Sequence, residues 1–131
     1  MINTHINTRS KYETHFIGDE FREMVKTTFD IVDGNKVLYS VTIPTKDYLS
    51  SDDNDPYGIS GLLTDYLKVC TDEEQEKKVR QFLVFLNKHK KEISIGNLEK
   101  ELVECLATRK ELDQRIDELK KDIEELQGGE S

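Results

Sequence analysis

The sequence predicts an α+β fold, with an N-terminal β-hairpin or small antiparallel sheet packed on amphipathic helices and a C-terminal coiled-coil helix. Three observations carry that prediction. Polar and apolar residues alternate between Val25 and Ile43, apolar residues recur at three- and four-residue spacing through residues 56–92, and a heptad register runs from Ile95 to Leu126. The 131 residues allow one domain with an appendage.

Residues 1–15 are rich in Asn and Thr and read as a disordered tail. From Val25 the pattern takes period two. If Asp33-Gly34-Asn35 forms a three-residue turn, Ile31 faces Val37, Phe29 faces Tyr39, Thr27 faces Val41 and Val25 faces Ile43. All of these residues then share one face, which a helix or another strand must cover. Pro44 ends the second strand, and residues 45–54 form an acidic loop.

Asp55-Pro56 reads as a helix start, with Asp as the N-cap and Pro where a missing N–H is harmless. Ile59, Leu62, Leu63, Tyr66, Leu67 and Cys70 then recur at helical spacing, predicting a helix over about 56–70. Thr71 and Glu74 match a capping box that opens a second helix over 72–92, with Val79, Phe82, Leu83 and Leu86 on one face. Gly96 punctuates the pattern, and Asn97 is placed to cap the last helix. The body is thus 16–95, the coil 97–127 and the disordered end 128–131.

In the last segment Ile95, Leu102, Arg109, Ile116 and Ile123 occupy a positions, and Leu98, Cys105, Leu112, Leu119 and Leu126 occupy d positions. Nine of these ten are apolar, which is the seam of a coiled coil. Ile at a with Leu at d in the last two heptads favours a parallel pair, and Arg109 at an a position lowers stability while selecting a dimer. Flanking charges leave the orientation open, with Arg115 opposite Lys120 in the parallel arrangement. The alternative is a helix that folds back on its own body.

The net charge of −8 is uneven. Residues 45–76 carry two basic against nine acidic groups, residues 77–95 six against one, and residues 96–131 six against eleven. The acidic stretch, Asp47, Asp52, Asp53, Asp55, Asp65, Asp72, Glu73, Glu74 and Glu76, is a candidate surface for a basic partner. Lys77, Arg80, Lys88 and Lys91 share one side of the second helix and form a candidate basic surface.

Signatures of chemistry are lacking. Asp53, Asp55 and Gly58 match the start of a calcium loop, but Tyr57, Ser60 and Thr64 stand where its other determinants belong. The three histidines and two cysteines have no ligand spacing, and no phosphate-binding glycine motif or nucleophile set occurs. No enzymatic activity, cofactor or metal is expected. The sequence shows neither a membrane span nor a signal peptide, and its cysteine usage suits a reducing cytoplasm.

The functional reading is therefore an interaction protein. The coil pairs two copies of the chain, parallel slightly favoured, and the body binds an unidentified partner protein. Two alternatives stand beside it. One is a small acidic inhibitor, of the kind phages make, filling a basic nucleic-acid-binding groove. The other is nucleic-acid binding through the basic helix 77–91, which the acidity of the remaining chain disfavours.

Overall fold

The computed structural model describes residues 4–128. It shows an α+β chain in the order β1 (His5–Ile17), β2 (Glu20–Asp33), β3 (Lys36–Thr45), α1 (Pro56–Val69), α2 (Glu73–Lys88) and α3 (Lys90–Gly128). The strands form one antiparallel sheet with β2 in the centre. The chain divides into two units, Met1–Leu98 and Glu99–Ser131. The expected disordered end lies outside the described residues except for Gly128, which is the last residue of α3.

The expected N-terminal tail is instead strand β1. It pairs with β2 along its whole length, from His5 opposite Val32 to Ile17 opposite Glu20. Its composition suggests fraying, but the alternation Ile6, Thr8, Ser10, Tyr12 supplies a core face once β2 is beside it. Ile6 is fully buried against Ile31. Residues 1–3 of that tail lie outside the described residues.

Both hairpins turn on two residues, Gly18-Asp19 and Gly34-Asn35. Each glycine has positive φ, 66° and 60°, at the first central position, and neither following residue does. That is the pattern of a type II′ turn, whose twist matches the flanking strands. The second hairpin therefore departs from the three-residue turn expected at Asp33–Asn35. Phe29 faces Val41, Thr27 faces Ile43, and Leu38 is accommodated as a bulge between Val32–Val37 and Ile31–Tyr39. The pairing is offset by one residue from the expected one between the turn and the bulge, and by two beyond it. Because the side-chain period is two, that even offset keeps Thr27, Phe29, Ile31, Val41 and Ile43 on the expected buried face, whereas nearer the turn Val37 is 52% exposed and Leu38, expected on the other face, packs against the core.

The core lies between this face and the helices. Ile6, Phe29, Ile31, Val41 and Ile43 meet Ile59 and Leu63 of α1, Val79, Phe82, Leu83 and Leu86 of α2, and Ile93 of α3. Each such side chain contributes about 1.5–3 kcal/mol on burial. Polar groups on the same face are satisfied laterally. The fully buried Thr27 hydroxyl lies 2.7 Å from Ser10 Oγ and 2.6 Å from Thr45 Oγ1, linking the three strands. Ser10 Oγ also accepts from the Leu49 N–H at 2.9 Å, which holds the loop after β3 against the sheet.

Two expected helix boundaries are corrected. The N-cap of α2 is Asp72, whose carboxylate accepts from the Glu74 and Gln75 N–H groups, and not Thr71 of the expected capping box. Aspartate offers the same acceptor one residue later and places a negative charge at the positive end of the helix. The break between α2 and α3 falls at His89, not at Gly96. The His89 N–H donates to Phe85 O and Leu86 O, and its carbonyl accepts the Ile93 N–H that begins α3.

Asn97, expected to cap the coil, is buried inside α3 instead. Its Oδ1 accepts the Ile6 N–H at 2.9 Å, and its Nδ2 donates to Asn54 O at 2.7 Å. These partners lie 91 and 43 residues away in sequence, so no local pattern announces them. With both ends of the amide engaged, the residue clamps β1 and the 45–55 loop to the start of α3.

Candidate functional site

The second unit consists of the later part of α3. The whole helix is 39 residues long, about 58 Å at the rise of an α-helix. Leu98, Leu102, Leu112, Ile116, Leu119, Ile123 and Leu126 are 43–75% exposed, as is Ile95 at 44%, and Cys105 is exposed. Every residue from 101 to 128 is exposed. The ten seam positions thus stand on one continuous helix with their apolar side chains in solvent.

Local sequence explains why this stretch is helical. Residues 98–127 contain neither Pro nor Gly before Gly128 and are rich in Leu, Glu and Lys, all good helix formers. Arg115 pairs with Glu118 at 3.2 Å, one turn away. Such exposed pairs add only a few tenths of a kcal/mol. Among the described residues the apolar stripe has no partner within its own unit. Around Arg109, the side chains of Glu101, Cys105, Thr108, Leu112, Asp113 and Ile116 border a shallow depression of about 490 Å³.

Several of the acidic candidates take local structural roles. Asp55 and Asp72 cap α1 and α2, and Asp53 accepts from the Ser50 N–H at 2.8 Å. Asp65 pairs with Lys68 at 3.4 Å, and Glu76 with Arg80 at 2.8 Å. Glu73 and Glu74 are exposed in the first turn of α2, while Asp47 and Asp52 lie in the loop after β3. Asp53, Asp55 and Gly58, the fragment of a calcium loop, are thereby placed in a turn and a helix start.

The basic candidates Lys77, Arg80, Lys88 and Lys91 lie on the surface at the α2 face and the start of α3. Arg80 is engaged by Glu76, and together with Lys77, Glu73, Tyr39, Gln81 and Val84 they border a surface groove of about 600 Å³. Charges of both signs line it, so the helix does not present an unbroken basic strip there. His89, expected as a solvated member of the charged run, is half-buried, with its ring tilted against Phe85 at 4.4 Å and 3.1 Å from Glu92. Near the C-terminus of α1, burial and the neighbouring Cys70 thiol push the Tyr66 hydroxyl up to about 12.

One feature went unread in the sequence. Beyond Val25 and Tyr12 the sheet has only two strands, and Tyr12, Phe16, Ile17, Phe21 and Met24 on this ribbon are 38–75% exposed. The ring of Tyr12 stacks on Tyr48 at 5.2 Å, and Phe16 meets Phe21 edge to face at 5.7 Å. Gly18-Asp19 between two alternating runs was the available signal. Glu13 lies on the opposite face of the ribbon, where Lys26 and Lys11 hold its carboxyl below the usual range.

Among the described residues no helix is long and apolar enough to cross a membrane. No protein-family model, no curated protein and no solved structure matches the chain.

Proposed function

We propose that the protein is a non-enzymatic interaction module that dimerises through the heptad seam of α3 and presents its α+β body to a partner protein. One observation carries the reading. Nine apolar side chains out of ten hold a and d positions on a helix that is exposed throughout residues 101–128. An isolated helix gains nothing from such a stripe, whereas a second copy buries it as knobs in holes. In such a pair the Arg109 head group reaches water past the seam. Two linked bodies would engage a paired target with an effective concentration that one body lacks. Several acidic candidates already serve as caps or ion-pair members, which also favours the seam as the principal interaction surface.

The test is the molar mass of the full-length chain by light scattering, with and without Leu112→Glu and Leu119→Glu. The unaltered chain is expected to be a dimer, and the double variant to dissociate at least about a hundredfold more readily, since each change buries an unpaired carboxylate. A monomeric unaltered chain overturns the reading. Orientation is read from Cys105. Parallel chains place the two thiols face to face and oxidise to a linked dimer, whereas the antiparallel register that uses the whole seam sets Cys105 against Ile116.

A further inference from the structure

We propose that the outer half of the β1 edge is a self-pairing site, where Tyr12-Glu13-Thr14-His15-Phe16 of two copies of this chain join as antiparallel strands about Thr14. This contact belongs to the first unit and does not depend on the heptad seam.

The two edges of the sheet are treated differently. The β3 edge carries a bulge at Leu38, a proline without an N–H at position 44, and a carbonyl at Thr42 that accepts from Gln75 Nε2. All three are ways of discouraging another strand. The inner part of the β1 edge is occupied, since the Ile6 N–H donates to Asn97, the Thr8 hydroxyl donates to Asp53 O, and Ser10 Oγ accepts from Leu49.

From Tyr12 onward none of these devices appears. The bond from Ile6 to Asn97 shows that even-numbered residues of β1 direct N–H and C=O away from β2. The register with β2 runs without a shift to Ile17, so Tyr12, Thr14 and Phe16 do the same. Among the described residues no backbone partner meets them on that side. The stretch contains no Pro, Gly or Lys, and its Tyr, Thr and Phe favour strands.

What selects a second copy, and not some other strand, is the order of residues. Read outward from Thr14, the segment is His then Phe in one direction and Glu then Tyr in the other. Antiparallel pairing about Thr14 therefore sets Glu13 opposite His15 of the second copy, twice, and Tyr12 opposite Phe16, twice. Lys11 falls opposite Ile17, so no like charges meet. The residues with outward backbone groups become the hydrogen-bonded pairs. Each aromatic row then runs Val25, Tyr12, and Phe16 and Phe21 of the second copy, merging two exposed patches into one.

Moving the centre to Tyr12 would drive Phe16 of one copy against Thr8 and the Asp53 carbonyl of the other, where the edge is already filled. Centring on Phe16 shortens the overlap by reaching the Gly18 turn.

Disulfide trapping in the full-length chain reads this register. In a background of Cys70→Ser and Cys105→Ser, Thr14→Cys is expected to cross-link with itself at least about tenfold faster than Lys36→Cys, an exposed control in the other hairpin. A mixture of Tyr12→Cys and Phe16→Cys chains is expected to cross-link about tenfold faster than either alone. Adding Thr14→Pro should remove that advantage while preserving the β1–β2 ladder, because the Thr14 N–H does not serve it. Equal rates for Thr14→Cys and Lys36→Cys, or a mixture no faster than its components, overturn the proposal. The ratios are independent of the seam, whose strength is read separately from the molar mass of the Thr14→Pro chain.

Discussion

The two units of the chain use apolar residues in opposite ways. In the first, Phe29, Phe82, Leu86 and Ile93 are fully buried, and their spacing is matched by partners on the sheet and the helices of the same unit. In the second, Leu112, Leu119 and Leu126 repeat as regularly but remain 59%, 43% and 75% exposed. Apolar periodicity alone therefore says that a face is to be covered, not by what. A face that its own unit covers stabilises the fold, and one left open on a long regular helix is available to another molecule.

That contrast can be sharpened by experiment, beyond the loss of dimer expected for Leu112→Glu with Leu119→Glu. Phe82→Ala empties a fully buried site in the first unit and is expected to lower its unfolding free energy by about 3–5 kcal/mol in chemical denaturation. The helicity of residues 99–128 should respond far less. Simultaneous collapse of both units would break the distinction between them.

Asn97→Ala comes next. It leaves the Ile6 N–H and the Asn54 carbonyl without their partner, which should destabilise the first unit by about 2–4 kcal/mol. Amide hydrogen exchange is expected to accelerate first at Ile6. Unchanged protection there would show that the clamp is dispensable. Arg109→Leu should act in the other unit and in the opposite direction, tightening self-association by about 1–2 kcal/mol and permitting higher oligomers, because a buried Leu replaces a charge at an a position. Sedimentation equilibrium reads both changes.

The smallest effect concerns the ribbon. Lys26 and Lys11 hold the Glu13 carboxyl below its ordinary value of 4.5. A carboxyl depressed in the folded state favours that state above its unfolded value, and the contribution fades as pH falls through the folded one. Acidification below pH 4.5 should therefore loosen residues 11–26, visible as altered amide shifts, and Glu13→Gln should abolish that dependence.

Much of this architecture was legible locally. The Asp55 cap and Pro56 start of α1, the core stripe of α2 and the heptads of α3 depend on neighbours within one or two turns, which a sequence displays directly. Thr27, Phe29, Ile31, Val41 and Ile43 were legible as a buried face despite the wrong turn length, because parity determines the face away from the bulge, whereas the bulge at Leu38 leaves Val37 exposed. Strand β1 was not. Its composition resembles a tail, and its burial depends on β2 and on Asn97 at the far end of the first unit.

The candidate surfaces divide in the same way. The heptad pattern was readable because it repeats along one helix, whereas the acidic run did not announce that Asp55 and Asp72 cap helices or that Asp65 and Glu76 pair with Lys68 and Arg80. The open ribbon edge was missed because an edge is defined by the strand that is absent beside it.

By itself the sequence determined an α+β chain whose long terminal helix carries an apolar seam, since helical and heptad periodicities arise from the geometry of a single helix. Only the tertiary structure decided that residues from His5 onward form a strand, that Asn97 is a clamp and not a cap, and that one sheet edge is guarded while the outer half of the other is open. Those outcomes depend on hydrogen bonds between residues tens of positions apart, and the free energy of leaving such buried groups unpaired selects the arrangement that satisfies them.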